Sequence, residues 1–244
     1  MVISSKSNPT IKKISSLAEK KYRRLYGLFI VESVKAVDEC LSSGMEVEEI
    51  VCTQGLSDKY PNAIVVTDEL FERVSTEKTP QGVLAVVKLP QKQLSASDGN
   101  CLLLDRLQDS GNIGTIIRTA NAAGYTDIYL VNCADAYSPK AVRASMGGVF
   151  YVNLHECGYD EVFELLEGTP LITADMSGED IFAFNAPEKF CLCIGNEGGG
   201  VSETIVNHSA YKVKIPMRET CESLNAGVSA AIAMYVLKNN QRGV

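Results

Sequence analysis

From Cys101 onward the chain sets short, largely apolar runs against segments of helical periodicity, and this alternation constrains the fold more than any other feature. Cys101–Leu104, Ile128–Val131, Tyr151–Leu154, Leu171–Ala174, Phe190–Ile194 and Val213–Ile215 each read as a strand. The run Cys101–Leu104 has no polar face at all, as a strand covered on both sides requires. Between the runs lie helical patterns. Ile113, Ile116, Ile117, Ala120 and Ala123 recur at helical spacing, Gly124 suits the left-handed residue that ends such a helix, and Ala226–Leu237 is strongly helical. Alternation of this kind predicts an α/β fold with a mainly parallel sheet and helices on both faces. Ligands of such sheets bind beyond the carboxyl ends of the strands, so the loops there are the place to look for chemistry.

Gln91–Asn100 is polar and carries Ser, Asp and Gly, as expected of a linker. Ahead of it the patterns are shorter. An opening helix is expected from about Pro9 to Arg24, with Asn8 and Pro9 suited to its start. Leu28–Val31 reads as a strand, Val34–Leu41 as a helix, and Val47–Cys52 and Ala63–Val66 as strands. Asp68 is placed as the cap of a helix through Val74, and Val83–Leu89 closes the module as a strand. The expected organisation is therefore a small α/β domain over 1–92, a linker over 93–99 and a larger α/β domain over 100–244.

Composition narrows the setting. Of 244 residues, 45% are hydrophobic and 22% charged, ordinary for a globular chain. No stretch approaches the ~18–20 uninterrupted apolar residues of a membrane span. The opening MVISSKSNPTIKK lacks the apolar core of a secretory signal, so a cytoplasmic protein with no membrane association is expected. Eight cysteines form no C-x-x-C pair, and several sit in apolar runs where a reduced thiol acts as a small hydrophobe. His155 and His208 stand apart, so no metal site is expected.

Charge is uneven. The chain carries −7 overall, yet the first 95 residues are at +1 and the remainder at −8. Between Lys6 and Arg24, Lys6, Lys12, Lys13, Lys20, Lys21, Arg23 and Arg24 face Glu19 alone. Such a stretch fits either a solvated helix face or an arm that contacts phosphates.

Three loops after strands could carry chemistry. In the first, Gly111 and Gly114 bracket Asn112 at a helix start, where free N–H groups and the dipole favour an anion. Arg118 follows inside that helix, in an otherwise apolar segment, where a permanent charge needs a partner if buried. The second, Ile194-Gly-Asn-Glu-Gly-Gly-Gly-Val201, has the glycines of a phosphate cradle, but Glu197 stands within it and no Lys follows. A carboxylate there repels a pyrophosphate and suits ribose hydroxyls or a cationic ligand. The third, Ile215-Pro-Met-Arg-Glu-Thr-Cys-Glu-Ser-Leu-Asn225, places Glu222, Ser223 and Asn225 just before the last helix. One of them serves as a helix cap; all three together exceed that need.

Taken in order, Asn112-Ile-Gly-Thr-Ile-Ile-Arg118, Ile194-Gly-Asn-Glu-Gly-Gly-Gly-Val-Ser202 and Ile215-Pro-Met with Glu222-Ser-Leu-Asn225 resemble the three motifs of the SpoU (TrmH-like) RNA ribose 2′-O-methyltransferases of the SPOUT class. Ser138–Gly147 is similar to a segment between the first two motifs. Ser7-Asn-Pro-Thr-Ile-Lys12, Phe29-Ile-Val-Glu32 and Thr79-Pro-Gln-Gly-Val-Leu-Ala85 resemble the family's N-terminal substrate-binding domain, itself similar to a ribosomal-protein RNA-binding fold. Ser33 is a departure, since relatives usually carry Gly there.

The resemblance implies a deep trefoil knot in the C-terminal domain, one of the rare exceptions to unknotted topology. It also implies S-adenosyl-L-methionine as cofactor, structured RNA as substrate (23S rRNA, with tRNA as the alternative), and a homodimer with active sites at the interface. Gly195, Asn196, Gly200, Ile215, Met217, Ser223, Leu224 and Asn225 would then bind the cofactor, and Arg118, Asn112, Glu197, Ser223 and Asn225 would form the catalytic set. Lys6, Lys12, Lys13, Arg23, Arg24, Arg118 and Arg143 would contact RNA. The family's proposed catalytic residue corresponds to Arg118. A guanidinium stays protonated, which suits holding a phosphate and stabilising a developing alkoxide better than acting as a base. Two rivals remain at this point: a non-catalytic RNA-binding relative, and a dinucleotide enzyme, the latter opposed by the missing G-x-G-x-x-G.

Overall fold

A computed structural model describes residues 2–91 and 93–241 of the chain. Met1, Lys92 and residues 242–244, which mark ends of the expected domain spans, lie outside the described residues. The described chain separates into two compact units. The first holds residues up to Gln91 together with Tyr137–Phe150, and the second holds the remainder up to Ala136 and from Tyr151 onward.

The first unit opens with α1 (Pro9–Ser16) and α2 (Lys20–Tyr26), followed by β1 (Leu28–Glu32), α3 (Val34–Ser42), β2 (Val47–Thr53), β3 (Ile64–Val66), α4 (Asp68–Val74) and β4 (Val83–Lys88). The strands form a mixed sheet ordered β1-β4-β2-β3, with β4 antiparallel to both neighbours and β2 parallel to β3. Ile11, Ile14 and Leu17 pack with Ile30, Phe71 and Val86 in its core. Asn8 caps α1 through its Oδ1, which accepts from Thr10 N at 2.9 Å, with Pro9 in the first turn.

Three expectations are corrected in this unit. The opening helix is not continuous to Arg24: it ends at Ser16 and restarts at Lys20. The break is held by Arg23, whose Nη1 donates to Leu17 O at 2.6 Å and Ala18 O at 2.8 Å. Arg23 is buried, so this cation satisfies helix-end carbonyls and does not face RNA. The cap of α4 is Thr67, which accepts from Leu70 N, while Asp68 lies within the first turn, where its charge complements the dipole. Ser33 adopts φ +98° and ψ 149°, backbone that glycine alone occupies at ease.

The second unit contains β5 (Cys101–Asp105), α5 (Ser110–Ala123) and β6 (Asp127–Val131). After α6 (Pro139–Ala144), which packs on β1 in the first unit, come β7 (Asn153–Glu156), α7 (Tyr159–Leu165), β8 (Leu171–Asp180), β9 (Cys191–Ile194), α8 (Glu203–Val206), β10 (Tyr211–Lys214) and α9 (Ala226–Asn240). Their six strands run parallel in the order β10-β8-β9-β5-β6-β7. Every residue of β5, β6 and β9 is buried, as continuous apolar runs demand of a sheet covered on both faces. β7 starts two residues later than expected, because Gly148–Phe150 forms a 3₁₀ turn. β8 runs beyond Ala174 through polar residues to Asp180, pairing with β10 across a register shift after Lys212. Gly178 permits that pairing: a Cβ there would lie 2.5 Å from the Lys212 carbonyl carbon.

Gly124 ends α5 at φ +79°, as its position predicts. α5 packs along α9, and buried Tyr125 donates its hydroxyl to Met234 O at 3.0 Å. His155 is buried against Asp127, and His208 stacks on Phe163 at 3.9 Å between ring centroids. Among the described residues no group of His, Cys, Asp or Glu is arranged to hold a metal, and no helix is long and apolar enough to cross a membrane.

Candidate functional site

The three loops singled out by their residues meet at the carboxyl edge of the parallel sheet. β5 ends in Asp105, β9 in Ile194, and the third loop leaves β10 toward α9. Side chains tie them together. Asn112, in the first turn of α5, donates through Nδ2 to Glu197 Oε1 at 3.0 Å, and its Oδ1 accepts from Asn225 Nδ2 at 2.9 Å. Asn225 in turn caps α9, its Oδ1 accepting from Gly227 N and Val228 N at 3.0 and 3.2 Å. One amide thus joins the first loop to both others.

Glu197 is saturated. Oε1 also accepts from Asp109 N at 3.3 Å, and Oε2 accepts from Gln108 N at 3.4 Å and Asn196 Nδ2 at 3.5 Å. Partial burial would raise its pKa, but the bonds from Asn112 and the loop backbone outweigh it and hold the carboxyl below its ordinary range. It is therefore ionised at neutral pH, and its four lone-pair positions are all engaged. Such a group organises a site rather than receiving a proton.

The glycine loop is folded on itself. Asn196 and Gly200 exchange backbone hydrogen bonds at 3.0 and 2.9 Å, and Asn196 Oδ1 accepts from Gly198 N and Gly199 N. Gly195 is required by crowding: a Cβ would lie 2.1 Å from the carbonyl carbon of Gly200 and the nitrogen of Val201. The loop is anchored below by Asp105, which is fully buried. Its Oδ2 accepts from Ser202 N and its Oδ1 from the Tyr159 hydroxyl, both at 2.7 Å. Arg106, at φ +56°, donates through Nε to Asp105 at 3.3 Å and through Nη2 to Gly200 O at 3.3 Å.

Beside this loop lies a cleft of about 410 Å³. Gly195, Asn196, Gly200, Ile215, Met217, Ser223 and Leu224 line it, together with Glu197 and Glu222. Asn225 does not; it is exposed and takes part in the hydrogen-bonded chain instead. The cleft also takes in Asp175, Lys214 and Ser229, which the sequence reading passed over. The Ser177 hydroxyl and amide hold the Asp175 carboxyl below its ordinary range. Three carboxylates against one lysine make the cleft a receptor for cations, while Ile215, Leu224 and Ala226 offer an apolar wall.

Arg118 is placed elsewhere. It is exposed on α5, has no hydrogen-bond or ion-pair partner among the described residues, and does not line the cleft. The expectation of a buried guanidinium needing a carboxylate is corrected: helix geometry turns position 118 about 120° away from Asn112, out of the sheet-facing side. Of the cations expected to meet RNA, Lys6, Lys12, Arg24 and Arg143 are exposed, and Lys13 is half-buried. Lys13 pairs with Glu48 at 2.8 Å, and Arg143 pairs with Glu77. Asp105, Arg106 and Tyr159 are functional supports that the motif reading did not single out. Only the acid at the end of a wholly apolar strand signalled the first of them.

The SpoU rRNA Methylase family model matches residues 99–235, and a model described as an MRM3-like substrate binding domain matches residues 8–85. The chain is 32% identical to the 23S rRNA (guanosine(2553)-2′-O)-methyltransferase RlmP of Bacillus subtilis, over 97% of this chain and 98% of that one. It is 31% identical to the 23S rRNA (uridine(2479)-2′-O)-methyltransferase of Streptomyces viridochromogenes, covering 90% and 85%. The crystal structure of the SpoU methyltransferase AviRb from Streptomyces viridochromogenes, in complex with AdoMet, superposes with a TM-score of 0.87 at 27% identity, over 97% and 99% of the two chains.

Proposed function

Since the chain belongs to the SpoU rRNA methylase family, we propose that it transfers a methyl group from S-adenosylmethionine to a ribose 2′-hydroxyl of RNA, with 23S rRNA as the substrate. The observation that carries this reading is the chain of hydrogen bonds Glu197–Asn112–Asn225, which binds all three loops into one rim beside an anionic cleft.

The cofactor fits the residues present. It is cationic overall, and Asp175, Glu197 and Glu222 supply the opposite charge; its flat adenine suits the apolar wall of Ile215 and Leu224; and Gly195, Gly198 and Gly200, which carry no side chain, let the loop backbone come close to it. When bound, it supplies an electrophilic methyl on a sulfonium. The protein's part is positioning. Asn112 has one Nδ2 hydrogen committed to Glu197, leaving the second to orient the attacking ribose oxygen. Ser223 stands in the cleft wall to assist it, and Asn225 fixes the Asn112 amide. Arg118 acts on the target phosphate and the developing alkoxide as a fixed positive charge.

Because Arg118 is exposed and away from its own cleft, it serves the site of a second copy, in a homodimer. The open apolar face of α9 supports that arrangement: Val228 and Tyr235 are exposed, and Ala231 and Ile232 between them are half-exposed, at helical spacing on one side. Lys6, Lys12, Lys13, Arg24 and Arg143 form the RNA-facing set, and residues 1–92 the substrate domain ahead of the linker 93–99 and the methyltransferase domain 100–244. A deep trefoil knot is the threading we assign to the C-terminal chain, on the strength of its membership of the SpoU family. A cytoplasmic location is part of the same proposal.

Methyl-labelled S-adenosylmethionine, purified protein and total rRNA test the reading, with ribose-methylation mapping of the product. Label in a ribose 2′-O position is the expected result; neither transfer nor cofactor binding would overturn it. Arg118→Ala is expected to bind the cofactor normally and to lose about 10²–10³-fold in transfer.

A further inference from the structure

We infer that the outer face of α2 is a stacking platform for an unpaired nucleobase, so that the first unit selects RNA carrying a loop or bulge beside helical backbone. This rests on the RNA-methyltransferase reading and adds the class of RNA that the substrate unit accepts.

Burial of Arg23 fixes which way α2 faces. With position 23 turned inward, Lys21, Arg24, Leu25 and Tyr26 are exposed and Tyr22 is half-exposed. Tyr22 and Tyr26 lie one turn apart with nearly parallel rings, 17° between planes and 6.2 Å between centroids. Each has an ammonium near its face: Lys21 Nζ is 5.6 Å from the centroid of Tyr22, and Lys13 Nζ is 5.3 Å from that of Tyr26. Leu25 is 66% exposed and Tyr26 42%, a cost in exposed apolar surface that the core of this unit does not require.

Tyr26 also borders a shallow groove of about 610 Å³, floored by Gly44, Met45, Leu89 and Pro90. The two carboxylates at its edge, Glu46 and Glu48, are already paired with Lys88 and Lys13, so they do not repel a polyanion. Seven basic residues against Glu19 between Lys6 and Arg24, on a chain of net charge −7, make this segment the cationic exception of the molecule. Cations alone would suit any phosphate backbone. Aromatic rings interleaved with them suit a base whose face is free, because every base has a π-face to stack and a duplex hides it. Lys21, exposed beside Tyr22, holds the adjoining phosphate.

The test measures binding of the full-length protein to a fluorescein-labelled RNA hairpin with an unpaired loop, and to a fully paired duplex of the same stem, at several salt concentrations. Tyr22→Ala and Tyr26→Ala should each weaken hairpin binding about 5- to 150-fold while leaving its salt slope and the duplex affinity unchanged. Tyr26→Phe should bind as the unaltered protein does. Lys21→Ala should lower the slope of log affinity against log salt by about 0.7. Because both rings are at the surface, thermal unfolding of the variants should match that of the unaltered protein, and S-adenosylmethionine binding should be unchanged. Hairpin binding within twofold for the double alanine variant would overturn the platform, as would an equal loss on the duplex. Anionic phospholipid vesicles that compete with the hairpin only when both tyrosines are present would reassign the face to a lipid surface. Failure of the unaltered protein to methylate rRNA would instead remove the enzymatic reading, a separate measurement from the tyrosine series.

Discussion

Removing the carboxylate of Asp105 isolates how the glycine loop is held. The group is fully buried and accepts two bonds of 2.7 Å, from the Tyr159 hydroxyl and the Ser202 amide, plus a longer one from Arg106. Hydrogen bonds to a charged acceptor contribute about 1.5–3 kcal/mol each. Arg106 is 40% exposed and can turn to water, so its share is at most about 1 kcal/mol. Asp105→Ala therefore costs about 3–5 kcal/mol, from two stranded donors. Asp105→Asn keeps the volume: its oxygen can accept from Ser202 and its amide can donate to the Tyr159 oxygen, so the cost falls to about 1–2 kcal/mol. Urea unfolding followed by circular dichroism gives the magnitudes, and hydrogen exchange of a peptide spanning 195–206 gives the location. A double-mutant cycle with Tyr159→Phe should return a coupling of about 0.5–3 kcal/mol. An Asp105→Ala protein within 0.5 kcal/mol of the unaltered one, or an asparagine variant as unstable as the alanine variant, would refute the anchoring argument.

Two further outcomes follow from buried or strained groups. Burial alone would push the Asp127 carboxyl up, but hydrogen bonds from His155, Asn153, Ser97 and Thr126 hold it below the ordinary carboxylate range. A depressed folded-state pKa stabilises above the unfolded value near ~3.9, and that stability drains away as pH falls through the folded value. Stability against pH should therefore decline more steeply below about pH 4 than for Asp127→Asn, and identical curves would contradict it. Ser33→Gly should relieve a backbone cost of about 1–3 kcal/mol while losing only a few tenths from the cap to Ala36 and about 0.5–1 from chain entropy. A rise in Tm of about 1–5 °C is expected by calorimetry; a fall would show that the serine conformation is not strained.

The parallel sheet was legible because its strands are buried on both faces, which leaves no room for polar residues and writes each strand as an apolar run. Cys101–Asp105 and Cys191–Ile194 are the clearest cases. The motif loops were legible because glycines, amides and carboxylates cluster at the ends of those runs. Most of the expected cofactor residues do line one cleft. Other features had no local signature. The polar extension of β8 to Asp180 forms only because β10 lies alongside it. Ser138–Gly147 reads as part of the larger domain, yet it clusters with the first unit, where α6 packs on β1.

What the amino-acid order determined alone is periodicity and chemistry: which segments bury which face, and which loops carry groups able to hold a cation. Those follow from neighbours a few residues apart. Tertiary structure decided the roles of charges. Arg23 and Arg24 are adjacent in sequence, yet one is spent on the carbonyls of Leu17 and Ala18 and the other is exposed. Asp105 finds its partners 54 and 97 residues away. A charge takes its role from the dielectric and the partners around it: for Arg23 these are carbonyls at the end of the preceding helix, and for Asp105, in the parallel sheet, they arrive from distant segments.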